Sequence, residues 1–506
     1  MLNVIKAMAS FRGGCAVLAA GIGFTAAGAA LAAEDGAYIA PASRKVESKN
    51  MRLVGYNDLQ ARSAYQPLIV KQGERWIAYI GHHGGKSVNP ITGNTEDNGT
   101  SIVDVTDPKN PKYLHHIIGE PGQGESGGAQ MVRICEGRTL PKGDRSKTYL
   151  LRTYGTSGHE IWDVSNPSKP GHLVTLVKGH KDTHKNAWEC DTGIAYLVTD
   201  GRVEGFRSKR ITKIFDLSDP ANPKFIRNFA LVGQEPGSTM KEVPQDLHGA
   251  IILGNRVYFG YGTLLAGVTQ IVDREKLLKG NPNVKDPFAP TPENLLYPQV
   301  GRSDMYPTVG AHTTLPILGM EVEALSNFVP QEPGFRTGRP KTRDYILAVN
   351  ESTQNECRED YHMAFMIDIT DETRPFGISN FYVPEKDGKF CERGGRFGAH
   401  ASHENLTPIY HKRLAFISWF NAGVRVVDYR NPFDLKEAAY YIPAITENTA
   451  RRCLRIDGVE RCKIAIQTNN PEVDDRGYIY IVDRANTGMH ILELTGDARK
   501  IANFPK

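Results

Sequence analysis

Residues 101–111 read SIVDVTDPKNP: a short apolar strand, an acidic residue at Asp104, and a polar turn closed by proline. The same unit returns as EIWDVSNPSKP around Asp163, KIFDLSDPANP around Asp216, QIVDREK around Asp273, FMIDITDETRP around Asp368, RVVDYRNPF around Asp428 and HILELTGD around Glu493. A period of about 60 residues that keeps returning to a strand and a turn marks the blades of a β-propeller. One such unit is too small to bury its own faces, so the copies must stack radially. The expected fold is all-β, a seven-bladed β-propeller, with loops and strand ends around an axial channel. The repeated acid is read as scaffold, because Asp followed by Ser or Thr and then Asp or Asn and Pro bonds its own turn.

Between the copies, runs such as RWIAYIG, KTYLLRTYG, GIAYLVTD, RDYILAVN and GYIYIVDRANTG are β-branched and aromatic and end in Gly or Asn turns. The repeats are evenly spaced except between Asp273 and Asp368, where Pro and Gly are enriched. That stretch predicts a long loop insertion at about 274–340.

Lys6 and Arg12 precede an apolar run rich in small residues from Gly13 to Ala33, and Ala30-Leu31-Ala32 fits a cleavage site ahead of Glu34. Residues 1–33 therefore read as a Sec signal peptide of a bacterial, periplasmic or secreted protein, with no membrane span after cleavage. Residues 34–55 read as an N-terminal arm able to donate an outer strand, and 56–506 as the propeller. Six cysteines follow the signal segment, and in an oxidising compartment an even number without CxxC spacing predicts disulfides. Chain order suggests Cys135–Cys190, Cys357–Cys391 and Cys453–Cys462 among fifteen possible pairings. The 61 Lys and Arg against 57 Asp and Glu are scattered, which excludes a nucleic-acid footprint.

Histidines carry the functional signal. His184, His248, His312 and the pair His400 and His403 stand just before the middle strands of consecutive repeats, and His82 and His83 end a strand of the first. Inner strands enter from one end of a propeller, so these imidazoles should converge on one mouth of the channel. Convergent neutral imidazoles suit a transition metal such as Cu, Zn or Fe, once thiolates are tied up as disulfides. Adjacent strand residues face opposite sides, so at most one of His82 and His83 should join. Glu189 and Glu404 follow candidate ligands and are the candidate acid–base groups. Lys86, near His83, is a candidate for holding an anionic substrate, and Gln60 and Gln130 stand where the first two repeats lack a histidine. No nucleotide fingerprint, Ser-His-Asp order or CxxCH haem site is present.

The repeats resemble those of LVIVD-repeat proteins, exported bacterial β-propellers, from about Arg52 to the end of the chain. A looser similarity is to propeller copper enzymes: the catalytic domain of nitrous oxide reductase, methanethiol oxidase of the selenium-binding family, and thiocyanate dehydrogenase. It rests on the placement of His184, His248, His312, His400 and His403, and it implies a copper-dependent oxidoreductase acting on a small substrate. The cupredoxin domain of nitrous oxide reductase has no counterpart here, so electrons would pass to a separate carrier. Two alternatives stand beside it: a Mn- or Zn-dependent lyase or hydrolase at the same site, and a non-catalytic propeller that binds a ligand or protein.

Overall fold

The computed structural model describes residues 45–505 apart from 264, 307 and 324–341, so the signal peptide read over 1–33 lies outside the described residues. Strand makes up 47% and helix 7%, and seven antiparallel sheets form the blades of a seven-bladed β-propeller. The second blade shows the pattern: Val132–Glu136, Thr148–Tyr154, Gly158–Asp163 and Gly171–Val177 pair in chain order from the axis outward. Each blade is covered on both faces by its neighbours, so middle strands are apolar throughout rather than alternating. In the sixth blade Leu414, Ala415, Phe416 and Ile417 are all fully buried.

The acidic repeat residues close turns. Asp104 accepts from the Thr106 N–H at 2.9 Å, Asp163 from Ser165 at 3.0 Å, Asp216 from Ser218 at 2.8 Å, Asp368 from Thr370 at 2.9 Å and Asp428 from Arg430 at 3.1 Å. Asp273 instead caps the helix Arg274–Lys279 by accepting from Lys276 N. Innermost strands have one unpaired edge facing the channel, and three of them tolerate proline there: Pro67, Pro316 and Pro471.

The chain's first described strands belong to its last blades. Met51–Asn57 pairs with Met489–Leu494 as the outer strand of the seventh blade, and Glu47–Lys49 adds outside Lys436–Ile442 of the sixth. The sheets of the ring therefore start at Glu47, inside the stretch assigned above to an arm, not at 56. All three disulfides pair as chain order suggested: Cys135–Cys190 between the second and third blades, Cys357–Cys391, and Cys453–Cys462 across a hairpin. No helix among the described residues is long and apolar enough to cross a membrane.

The insertion is smaller than the repeat spacing implied. Residues 274–298 hold two short helices, Arg274–Lys279 and Pro292–Leu296, but Gln299–Asp304 is the outer strand of the fourth blade and Thr313–Glu321 the inner strand of the fifth. Pro and Gly do not exclude strands here: Gly301 lies within the first of these, and Pro316 and Gly319 within the second.

Candidate metal centre

At the end of the axis where the inner strands begin, four histidines from four consecutive blades meet. His184 precedes Asn186–Trp188, His248 lies in Leu247–Leu253, His312 precedes Thr313–Glu321, and His400 opens the irregular inner segment of the sixth blade, held by N–H bonds to Ser418 O. His184 and His248 bring their Nε2 atoms to 3.0 Å. The rings of His248 and His312 lie tilted to one another at 3.4 Å between centroids, and those of His312 and His400 at 4.7 Å. His83 reaches the group from the first blade through Tyr65, whose ring lies 5.1 Å from His83, 5.5 Å from His184 and 6.0 Å from His400. The Tyr65 hydroxyl is 3.2 Å from His184 Nε2.

Backbone carbonyls fix two of the tautomers. His248 Nδ1–H donates to the His312 carbonyl at 2.6 Å, and His400 Nδ1–H donates to the Asn469 carbonyl at 3.0 Å. Each neutral ring then presents an Nε2 lone pair, the form in which histidine binds metals. Burial holds His184, His248, His312 and His400 well below the ordinary imidazole range, and burial with Arg484 nearby lowers His83 to about 4.

The Nε2 atoms of His312 and His400 are buried and have no hydrogen-bond partner. The Glu351 carboxylate lies 3.5 Å from the first and 3.6 Å from the second, and the three ligand atoms all fall within 4.8 Å of one another. Ligand atoms about 2.0–2.2 Å from one ion sit roughly 3–3.5 Å apart, so this triad is near closure around a cation. Glu351 is itself oriented by Arg396 at 3.0 Å, with Arg484 at 3.9 Å. Burial raises its carboxyl above the usual range, against the pull of the two guanidiniums.

The other sequence candidates lie elsewhere. His82 turns into the first blade, 2.8 Å from Ser101 Oγ and beside His116, which leaves His83 as the inward member of the pair. His403 accepts from Phe416 N through Nδ1 and packs edge-on to the Phe416 ring, away from the four. Glu189 lies at the opposite end of the axis, where Arg274 holds both its oxygens at 2.6–2.9 Å; it has no contact with the histidines. Glu404 sits part-way along the axis, tied to Arg133 and, at 3.2 Å, to Lys185. Lys86 is exposed on the hairpin Lys86–Val88/Thr95–Asp97 and pairs with Asp97. Gln60 occupies a left-handed turn (φ 52°) and accepts from Ser87 through its carbonyl, and Gln130 donates to Glu125 O.

The histidines do not line an open mouth. His184 is the most exposed of the four, at 7%. Sequence reasoning missed Tyr65, Glu351, Arg396 and Arg484. Glu351 and Arg484 do share a readable position, just past the second strand of their blades (Thr342–Val349 and Ile479–Asp483), where His83 ends the second strand of the first.

No protein-family profile matches this chain, and no curated protein matches it in sequence. Among solved structures it is similar to Raptor from Chaetomium thermophilum, with a TM-score of 0.49 and 10% identity over 89% of this chain. The match spans only 30% of that Raptor chain. It is also similar to the Cps50 (Swd1) β-propeller domain of Myceliophteria thermophila, with a TM-score of 0.44 and 8% identity over 88% of this chain and 98% of that one. Neither likeness speaks to activity.

Proposed function

We propose that the chain is an exported, periplasmic or secreted propeller metalloprotein of the LVIVD-repeat kind, and that its buried histidine cluster holds a transition metal for an oxidoreductase reaction on a small substrate. The observation that carries this reading is the pair of unpartnered Nε2 atoms of His312 and His400 flanking the Glu351 carboxylate. Burying polar atoms without partners costs about 1–3 kcal/mol each, a cost that bound cation would remove. His312, His400 and Glu351 would hold the ion, with His184 and His248 adjacent as further nitrogen donors. Copper suits an imidazole-rich set, and it would supply one-electron chemistry, passing electrons to a separate carrier.

Around that ion the protein's own groups have defined work. The His312 and Asn469 carbonyls fix the His248 and His400 tautomers, Arg396 aims Glu351, and burial excludes water. Tyr65 can share a proton with His184 across 3.2 Å. A second reading is favoured by one specific observation, the carboxylate among the donors: Glu351 suits a harder ion such as Mn or Zn, for lyase or hydrolase chemistry.

Metal analysis by mass spectrometry tests both. Protein isolated without a tag should carry a stoichiometric transition metal, which the folded His312→Ala/His400→Ala variant should lack and His403→Ala should keep. Copper supports the redox reading, and Zn or Mn the alternative. A metal-free parent that takes up neither added Cu nor Zn overturns both and leaves a ligand-binding propeller.

A further inference from the structure

Opposite the histidines, the inner strands run out into a funnel of about 740 Å³. Leu68, Val70, Trp76, Trp188 and Ile251 give it apolar walls. Its floor is charged: Arg133 and Glu404 line both the funnel and a narrow space beyond it that reaches Lys185, Asn186 and His312.

The floor has more donors than acceptors. Lys185, only 4% exposed, makes one hydrogen bond, to a Glu404 oxygen at 3.2 Å, although an ammonium has three donors. The other Glu404 oxygen takes Arg133, so two cations share one carboxylate. Glu472 does not relieve them, because its oxygens accept backbone N–H groups of Glu404, Asn405 and Val473. Two more polar groups here are buried without partners: both ends of the Asn186 amide and the Trp188 indole N–H, in residues 3% and 8% exposed. Gly249 leaves space for the lysine stem, since a Cβ there would stand 3.2 Å from Lys185 Cδ.

We propose that this funnel binds a small organic anion, with its carboxylate or sulfonate on Lys185 and Arg133 and its apolar body against Trp188, Leu68 and Ile251. An acid group would supply acceptors for the unused ammonium donors and lies within reach of the walls that hold Trp188 and Asn186. Charge-assisted hydrogen bonds in such a buried place are roughly twice as strong as neutral ones. The funnel also holds Glu189, which Arg274 pairs, and the exposed rim carboxylates Asp191 and Asp475, so Arg133 and Lys185 meet a ligand only at the floor; an alcohol would offer the ammonium there no charge.

Titration calorimetry with butyrate, benzoate and butanesulfonate, and with butylammonium and butanol, decides the matter without reference to metal content. All three anions should bind saturably and at least tenfold more tightly than acetate, while the amine and the alcohol should not. Lys185→Met should weaken butyrate at least tenfold. Trp188→Phe, which keeps an aromatic wall but removes the indole N–H and part of the ring, should weaken it severalfold. Should Lys185→Met fail to fold, Arg133→Gln takes its place in the comparison. Absence of saturable anion binding, equal binding of butylammonium, or affinities unchanged in the folded cation variant would each overturn the proposal.

Discussion

A single carboxylate separates a metal centre from a cluster of neutral imidazoles. If Glu351 is a ligand, Glu351→Gln should keep the fold yet weaken metal binding at least tenfold in competition with a chelator; unchanged affinity would remove it from the donor set. Glu472 carries a different prediction. Burial, with Glu404 beside it, pushes its carboxyl up to about 7, so the folded state holds its proton more tightly than the unfolded chain does. Stability from this group is complete below the unfolded value near 4.5 and is lost as pH rises through 7, by about 2–3 kcal/mol. Glu472→Gln should therefore gain on the parent between pH 5 and pH 8 in denaturant midpoint, and a difference independent of pH would refute the assignment. At this scale the sequence was partly readable. His184, His248, His312 and His400 share a blade position and could be picked out by it. His403 was misplaced because residues three apart in extended chain face opposite sides. Glu351 and Arg484 were passed over despite their shared position just past a second strand, since Glu and Arg at a strand end look like ordinary surface until the ring folds their ends inward.

Disulfides and turns act on whole strands. Cys135–Cys190 closes 55 residues and staples two blades, whereas Cys453–Cys462 closes 9 within one hairpin. Loop-closure entropy gives about 4 kcal/mol for the first and about 2.5 for the second. Cys135→Ser/Cys190→Ser should thus lower the denaturation midpoint more than Cys453→Ser/Cys462→Ser, and the reverse order would show that local strain, not chain entropy, dominates. Elements were the most legible level, because a strand covered on both faces must be apolar throughout and an Asx turn needs one acid at one place. The 274–340 stretch was read too simply: Gly301, Pro316 and Gly319 lie within the strands Gln299–Asp304 and Thr313–Glu321, so Pro and Gly there did not mark loop.

Seven blades make one closed ring only because an N-terminal strand joins the last blade. Gly55 lies on that strand at a register shift, and a Cβ there would come within 1.9 Å of the Pro108 carbonyl in the first blade's turn. Gly55→Ala should cost about 2–3 kcal/mol, read as a lower midpoint for the whole transition; a neutral change would mean that turn can withdraw. The repeats announced a ring of seven, but the shape of its axis was not legible, because which end is sealed and which is open depends on loop lengths that no repeat encodes. Closure also orders events in time. Arg52 pairs with Glu493, 441 positions later, so one strand waits for a partner made long after it. Until then Met51–Asn57 lacks its partner Met489–Leu494, and a strand edge lies bare. A chain cut short before its seventh blade can never seal itself, and its open edge would mark it for proteolysis, so the molecule carries in its own topology a check that synthesis reached that blade.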